Sequence, residues 1–138
     1  MTRGTLHKRT LIWKAGLKVL RSHLVLGVGA GEYPEAVRPW IGTPGVPGHR
    51  YVAHNTFLSV LVECGVVGLG LYALMLGTIA LYVWTLPHTE RALWAIMLLV
   101  WVVGVSTLTW EHYKPSWLIV ALIMTEWGRP GRTARLLK

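Results

Sequence analysis

His54-Asn55 closes a segment rich in glycine and proline and is followed at once by a long apolar stretch. This position predicts an imidazole at the boundary between water and membrane, beside the first unbonded N–H groups of a helix that has Asn55 or Thr56 as its N-cap. Such a helix end favours a bound anion and a neutral imidazole, and a neutral imidazole can act as a general base. The alternative is a histidine that only makes a hydrogen bond at the interface.

Arg9 places a permanent charge on an apolar helix face. From Leu6 to Leu24 the apolar residues recur at helical spacing, and at about 100° per residue Arg9 falls between Trp13 and Gly16. A buried charge is costly without an anionic partner, and the planar guanidinium suits a carboxylate or a phosphate. The partner is either an anionic substrate group held at the membrane surface or a structural one. A structural partner would be Glu32, Glu35 or Glu63.

The rest of this predicted helix is amphipathic. Its apolar face holds Leu6, Ile12, Trp13, Gly16, Leu17, Val19 and Leu20. Lys14, Lys18 and Arg21 lie on the opposite face, where they contact water or lipid headgroups. The helix is therefore predicted to lie along the membrane surface.

Other polar side chains are weaker candidates for chemistry. Glu63 lies in apolar sequence about two helical turns after His54, and pairing with an arginine is its expected role. Glu111, His112 and Lys114 form a polar cluster that a loop between two spans would need in any case. The chain has no aspartate and its six histidines lack ligand spacing, so we expect a mechanism without metal or other cofactor.

The elements that must position these residues are membrane helices. The chain is 53% hydrophobic and 14% charged over 138 residues, which indicates a bilayer as solvent. Long uncharged runs predict transmembrane helices over about 58–85 and 92–110, joined as an antiparallel hairpin, and a shorter one over 114–127. The expected fold class is an all-α membrane protein, with a Gly/Pro-rich loop before the first span.

Basic residues set the expected orientation. The tail 128–138 holds Arg129, Arg132, Arg135 and Lys138, which places the C-terminus in the cytoplasm and, with three spans, residues 1–56 outside. Residues 1–56 form one segment, with no uninterrupted signal-peptide core. We therefore expect further membrane helices upstream, as part of the same protein.

The glycine-rich stretch from His23 to Glu32 superficially resembles the strand and turn of a nucleotide-binding fold. That fold needs a crossover helix and a second strand, whereas prolines and glycines follow from Pro39 onward. The glycines instead favour a tight turn at the membrane surface.

Four motifs, in this order, resemble the C-terminal part of the O-antigen ligase and O-antigen polymerase superfamily of bacterial inner-membrane proteins. They are Arg9-x-x-x-Trp13, Leu26-Gly27-Val28-Gly29-Ala30-Gly31-Glu32-Tyr33, His54-Asn55-x-x-Leu58 and Glu63-x-Gly65-x-x-Gly68, and the resemblance covers residues 5 to 127.

The resemblance implies a metal-independent glycosyltransferase. Members of the family transfer a glycan from undecaprenyl diphosphate to an acceptor hydroxyl, on lipid A-core or a growing polysaccharide, at the periplasmic face. Carried onto this chain, Arg9 would bind the pyrophosphate and His54 would activate the acceptor hydroxyl, with Trp13, Asn55 and Glu63 as further substrate-binding residues. The expected partners are thus membrane lipid, the lipid-linked glycan and its acceptor, and no nucleic acid.

Family members have several spans before this loop, whereas this chain begins inside it. It is therefore expected to be a C-terminal portion whose catalysis depends on the preceding helices. Two other interpretations stay open: a non-catalytic membrane anchor or subunit, and an inactive truncated remnant.

Overall fold

The computed structural model describes residues 2–41, 51–108, 117–118, 120–122 and 125. Most of these residues are helical and none of them lies in a strand, as the all-α prediction requires. The elements are α1 (Thr2–Ser22), α2 (Tyr33–Val37), a 3-10 helix (Arg38–Trp40), α3 (Thr56–Thr85) and α4 (His88–Thr107).

Two of these helices, α3 and α4, are long and apolar enough to cross a membrane, and little of either is buried within the chain. They form the expected antiparallel hairpin, packed through Ile79, Tyr82 and Leu86. At the other end of the hairpin, Thr56 Oγ1 donates a hydrogen bond to the Leu108 carbonyl over 2.9 Å. With 30 residues, α3 is about 45 Å long, so it extends well beyond a hydrocarbon core of about 30 Å.

Several predicted features lie outside the described residues. They are most of the third span 114–127, the polar cluster Glu111, His112 and Lys114, the basic tail 128–138, and residues 42–50 of the Gly/Pro-rich loop. Val120, from the predicted third span, is described and packs against the hairpin core.

The N-terminal segment packs around the first turns of α3. Its core combines α1, α2 and the start of α3, and consists of Ala15, Val19, Leu20, Tyr33, Val37, Ala53 and Val62. The predicted apolar face of α1 is correct for most positions, but Leu17 is 50% exposed. Leu17 lies at the margin of the stripe, and the neighbouring helices are too few to cover it.

Tyr33 joins α1 to the short helix α2, which the sequence did not predict. Its hydroxyl donates to the Ile12 carbonyl over 3.1 Å, and its ring lies against Gly16, where a Cβ would come within 2.7 Å of that hydroxyl. Burial, and then the nearby Glu63 carboxylate, raise the pKa of Tyr33 above its usual value. The phenol therefore stays protonated and remains a donor.

Candidate functional site

The entry into α3 is a strained turn centred on His54. This half-buried residue has φ of 50°, the left-handed region that few non-glycine residues adopt. Asn55 follows in extended conformation, and its Oδ1 accepts a hydrogen bond from the Leu58 N–H over 2.9 Å. Of the two N-caps considered, Asn55 is therefore the one used. The cap uses one of the two lone pairs of Oδ1, so a substrate could still bind Asn55 through the other lone pair or through the amide N–H donors.

Trp13 holds this turn from α1. Its indole Nε1 donates to the carbonyl of Ala53 over 2.7 Å, one residue before His54. Residues four apart on a helix have their Cβ atoms about 5–6 Å apart, so Arg9 lies one turn from this hydrogen bond. The hydrogen bond thus joins the helix that carries Arg9 to the turn that carries His54: Arg9 is four residues before Trp13, and His54 is one residue after Ala53.

Arg9 forms no ion pair with a glutamate among the residues that the structure describes. Glu35 forms an ion pair with Arg38 over 2.7 Å, and neither Glu32 nor Glu63 pairs with Arg9. The Arg9 side chain is half-buried on the helix face that carries Trp13. The structural ion pair considered from the sequence is therefore not formed, and an anion from outside the described residues fits the guanidinium better.

Glu63 accepts a hydrogen bond from the backbone of the glycine-rich turn. It is 5% exposed, its Oε2 accepts from the Gly31 N–H over 2.9 Å, and its Oε1 lies 3.5 Å from Ser59 Oγ. The Glu63 side chain thus holds the glycine turn, residues 27–31, against α3.

The segment that leads into the glycine turn packs across a break in α3. Gly65 has φ of 68° and ψ of −167°, which interrupts the helix and frees backbone groups on both sides. The N–H groups of Val66 and Val67 donate to the carbonyls of Leu24 and Val25, over 2.9 and 3.3 Å. The freed carbonyls of Val62 and Glu63 accept from the loop, from the N–H groups of Val28 and Gly29 over 3.0 and 2.8 Å. The loop thus supplies hydrogen-bond partners for the backbone N–H and carbonyl groups that the break leaves without helical partners.

Two glycines make this contact possible. At Gly65 a Cβ would overlap the Val25 carbonyl, and at Gly27, with φ of 71°, a Cβ would overlap the Glu63 carbonyl group. The glycines of the two motifs therefore permit one close approach of two backbones. Sequence reasoning assigned only the loop glycines, and only to a turn. The one available signal was that a second glycine-containing motif follows Glu63.

Replacing Trp13 with phenylalanine is expected to destabilise the fold by about 1–2 kcal/mol, because the buried Ala53 carbonyl loses its donor while the aromatic ring is kept. Thermal unfolding in detergent measures the change. Trp40→Phe is the matched control, since Trp40 is 54% exposed and lies outside the core. Equal stability of the two variants would mean that the Trp13 hydrogen bond does not hold the His54 turn.

Comparison with known proteins supports the motifs on which this site is built. A family model described as O-antigen ligase matches residues 1–73, a range that contains α1, the glycine turn, His54 and the break at Gly65. No curated protein and no solved structure matches the chain.

Proposed function

The chain belongs to the O-antigen ligase family, and on that premise we propose that it takes part in glycan transfer from undecaprenyl diphosphate to an acceptor hydroxyl at the periplasmic face of the bacterial inner membrane. The observation that carries this proposal is the Trp13–Ala53 hydrogen bond, which joins the helix of Arg9 to the turn of His54. A cation that pairs with no glutamate among the described residues and a titratable side chain at a strained turn are the two groups that such a transfer needs.

Arg9 binds the diphosphate of the donor in this proposal. Its fork of N–H donors matches two phosphate oxygens at once, and charge builds up on those oxygens as the leaving group departs. By analogy with other preorganised electrostatic contacts, Arg9 would stabilise the transition state by about 2–4 kcal/mol.

His54 serves as the general base. The acceptor oxygen attacks the anomeric carbon, the bond from that carbon to the diphosphate oxygen breaks, and undecaprenyl diphosphate leaves with the bonding electron pair. The hydroxyl proton passes to the His54 imidazole. A single displacement of this kind inverts the anomeric carbon.

The remaining candidate residues act mainly by positioning. Glu63 and the indole N–H of Trp13 are bonded within the protein, so Trp13 can touch substrate only through its ring. Asn55 orients the first turn of α3, whose N-terminal N–H groups add positive potential near His54. The acceptor is a hydroxyl of lipid A-core or of a growing polysaccharide.

A membrane anchor without catalytic activity is the second candidate. Its supporting observation is the exposed basic face of α1, where Lys14, Lys18 and Arg21 all lie at the surface. In that case the basic face binds anionic lipid and Arg9 has no separate role.

Arg9→Lys separates the two candidates. The enzyme proposal expects this variant to lower glycan transfer by about 10–100-fold, because an ammonium group cannot make the bidentate phosphate contact. The gene, with any coding sequence upstream, is expressed in cells that lack their own ligase and polymerase. Loss of glycan from undecaprenyl diphosphate is measured relative to the amount of protein in the membrane.

The control neutralises Lys14, Lys18 and Arg21 together as glutamine. The enzyme proposal expects this triple variant to keep most of the transfer activity, since these side chains lie on the face away from Trp13. The opposite result, a tolerated Arg9→Lys with an inactive triple variant, would support the anchor and refute the enzyme proposal.

A further inference from the structure

Leu24, Val25 and Leu26 form an apolar tip between α1 and the glycine turn. Their exposed fractions are 52%, 58% and 74%, although each is a large apolar side chain. Three consecutive exposed residues of this kind are unusual on a surface that faces water. We therefore expect these three side chains to be covered by another apolar surface.

Backbone hydrogen bonds between this tip and α3 fix the position of the tip along the helix axis. The carbonyls of Leu24 and Val25 accept from the N–H groups of Val66 and Val67. The uncharged part of α3 begins just before Val66, at Cys64, and continues to Thr85 over 22 residues, or about 33 Å. The tip therefore lies level with the end of the stretch that matches the hydrocarbon core.

The pairing lowers one obstacle to entering lipid. An irregular segment is normally excluded from the core of a bilayer because its polar backbone groups have no partners there. Here the carbonyls of Leu24 and Val25 are bonded to α3, and the Gly27 N–H donates to the His23 carbonyl over 2.9 Å. The N–H groups of the tip have no backbone partner among the described residues, which suits a position in the headgroup interface, where water still reaches them.

The surface beside the tip is apolar toward the α3 span and polar toward α1. Along α3 an apolar strip runs from Val67 through Leu71 to Leu74, with exposed fractions of 46%, 63% and 67%. On the other side the chain is polar, because exposed Arg21 and His23 come just before the tip. Apolar side chains below cations are typical of segments that lie in a membrane interface with anionic headgroups.

We propose that the apolar tip inserts into the membrane leaflet beside the start of the α3 span, with Arg21 at the level of the lipid phosphates. The occupant of this surface is the bilayer itself. Insertion fixes the height of the glycine turn, and through Glu63 it ties the first turns of α3 to the membrane surface. The inference goes beyond glycan transfer and depends only on α3 as a membrane span.

The test is the depth of a spin label at Leu26. In a Cys64→Ala background, Leu26→Cys carries a nitroxide, and the full chain is placed in vesicles of phosphatidylethanolamine and phosphatidylglycerol. Collision rates are measured with oxygen, which concentrates in lipid, and with a water-soluble nickel chelate. The ratio of oxygen to nickel accessibility is expected to be several-fold higher at Leu26 than at Ala30, an exposed position on the same loop.

A label on Leu71→Cys gives the lipid reference, because Leu71 lies within the apolar run and is largely exposed. A Leu26 ratio close to that of Leu71 supports insertion. A ratio equal to that of Ala30 would show that the tip stays in water, and shielding from both reagents would show that protein covers it; either result overturns the proposal. The measurement needs no glycan substrate, so its failure is distinct from failure of the enzyme proposal.

Discussion

Replacement of His54 by alanine is expected to lower glycan transfer by about 10²–10⁴-fold, which is the range that a positioned general base contributes. The acceptor hydroxyl would then have to lose its proton to water. Donor binding is expected to change little, because Arg9 is still in place. The measurement is the rate at which glycan leaves undecaprenyl diphosphate, at saturating and at limiting acceptor, in membranes with equal amounts of each variant.

The strained backbone at this position calls for a second variant. At φ of 50° alanine is unfavourable, so part of any loss for His54→Ala would come from the turn. Asparagine tolerates the left-handed region several-fold better than most residues and cannot accept the proton. His54→Asn should therefore keep the fold and lose the activity. A folded His54→Asn that transfers glycan normally would show that His54 has a structural role only.

His88→Ala is the matched control for loss of a histidine. His88 is exposed and begins α4, at the opposite end of the hairpin from His54. It should leave transfer unchanged. A similar loss for His88→Ala would indicate an effect on expression or membrane insertion and not on proton transfer.

Replacement of Gly65 by alanine is expected to cause the largest loss of stability, at least about 3 kcal/mol. The conformation at Gly65 is one that essentially only glycine adopts, which alone costs about 1–3 kcal/mol for another residue. The new Cβ would also overlap the Val25 carbonyl and separate the loop from α3. The four hydrogen bonds across the break would then be weakened together. Thermal unfolding and protease resistance in detergent measure the effect.

Gly70→Ala is the matched control in the same helix. A Cβ at Gly70 meets no atom within 4 Å, and alanine is favoured over glycine in a helix by about 1 kcal/mol. This variant should be as stable as the parent or more so. If Gly65→Ala and Gly70→Ala behaved alike, the contact between the loop and the break in α3 would not contribute to stability.

Gly27→Ala offers an internal check, because its Cβ would overlap Glu63 from the other side of the same contact. Once Gly65→Ala has separated the two backbones, adding Gly27→Ala should lower the stability much less than Gly27→Ala does alone. The double variant is therefore expected to be clearly more stable than the sum of the two single losses implies. Additive losses would mean that the two glycines act independently.

The sequence alone determined the three long helices α1, α3 and α4, because the signals that specify them are local. Apolar run length identified the regions of α3 and α4, and the 3.6-residue period identified α1. The cap at Asn55 follows from its side chain and its own neighbours. The motifs that link the chain to its family could likewise be read directly from residue order.

Only the tertiary structure decided which side chains meet. The helical wheel showed that Arg9 needed an anion, but the absence of a glutamate partner depends on how α1 docks, through Trp13, against Ala53. The sequence also carried no sign that the Glu63 carboxylate accepts a hydrogen bond from the backbone N–H of Gly31, 32 positions earlier. The loop glycines, including Gly27, were interpreted as a local turn and Gly65 only as part of a motif, yet Gly27 and Gly65 each lack a Cβ because the other segment approaches so closely. Such contacts join positions far apart in the chain, and no local period or propensity encodes which distant backbone will approach a given residue.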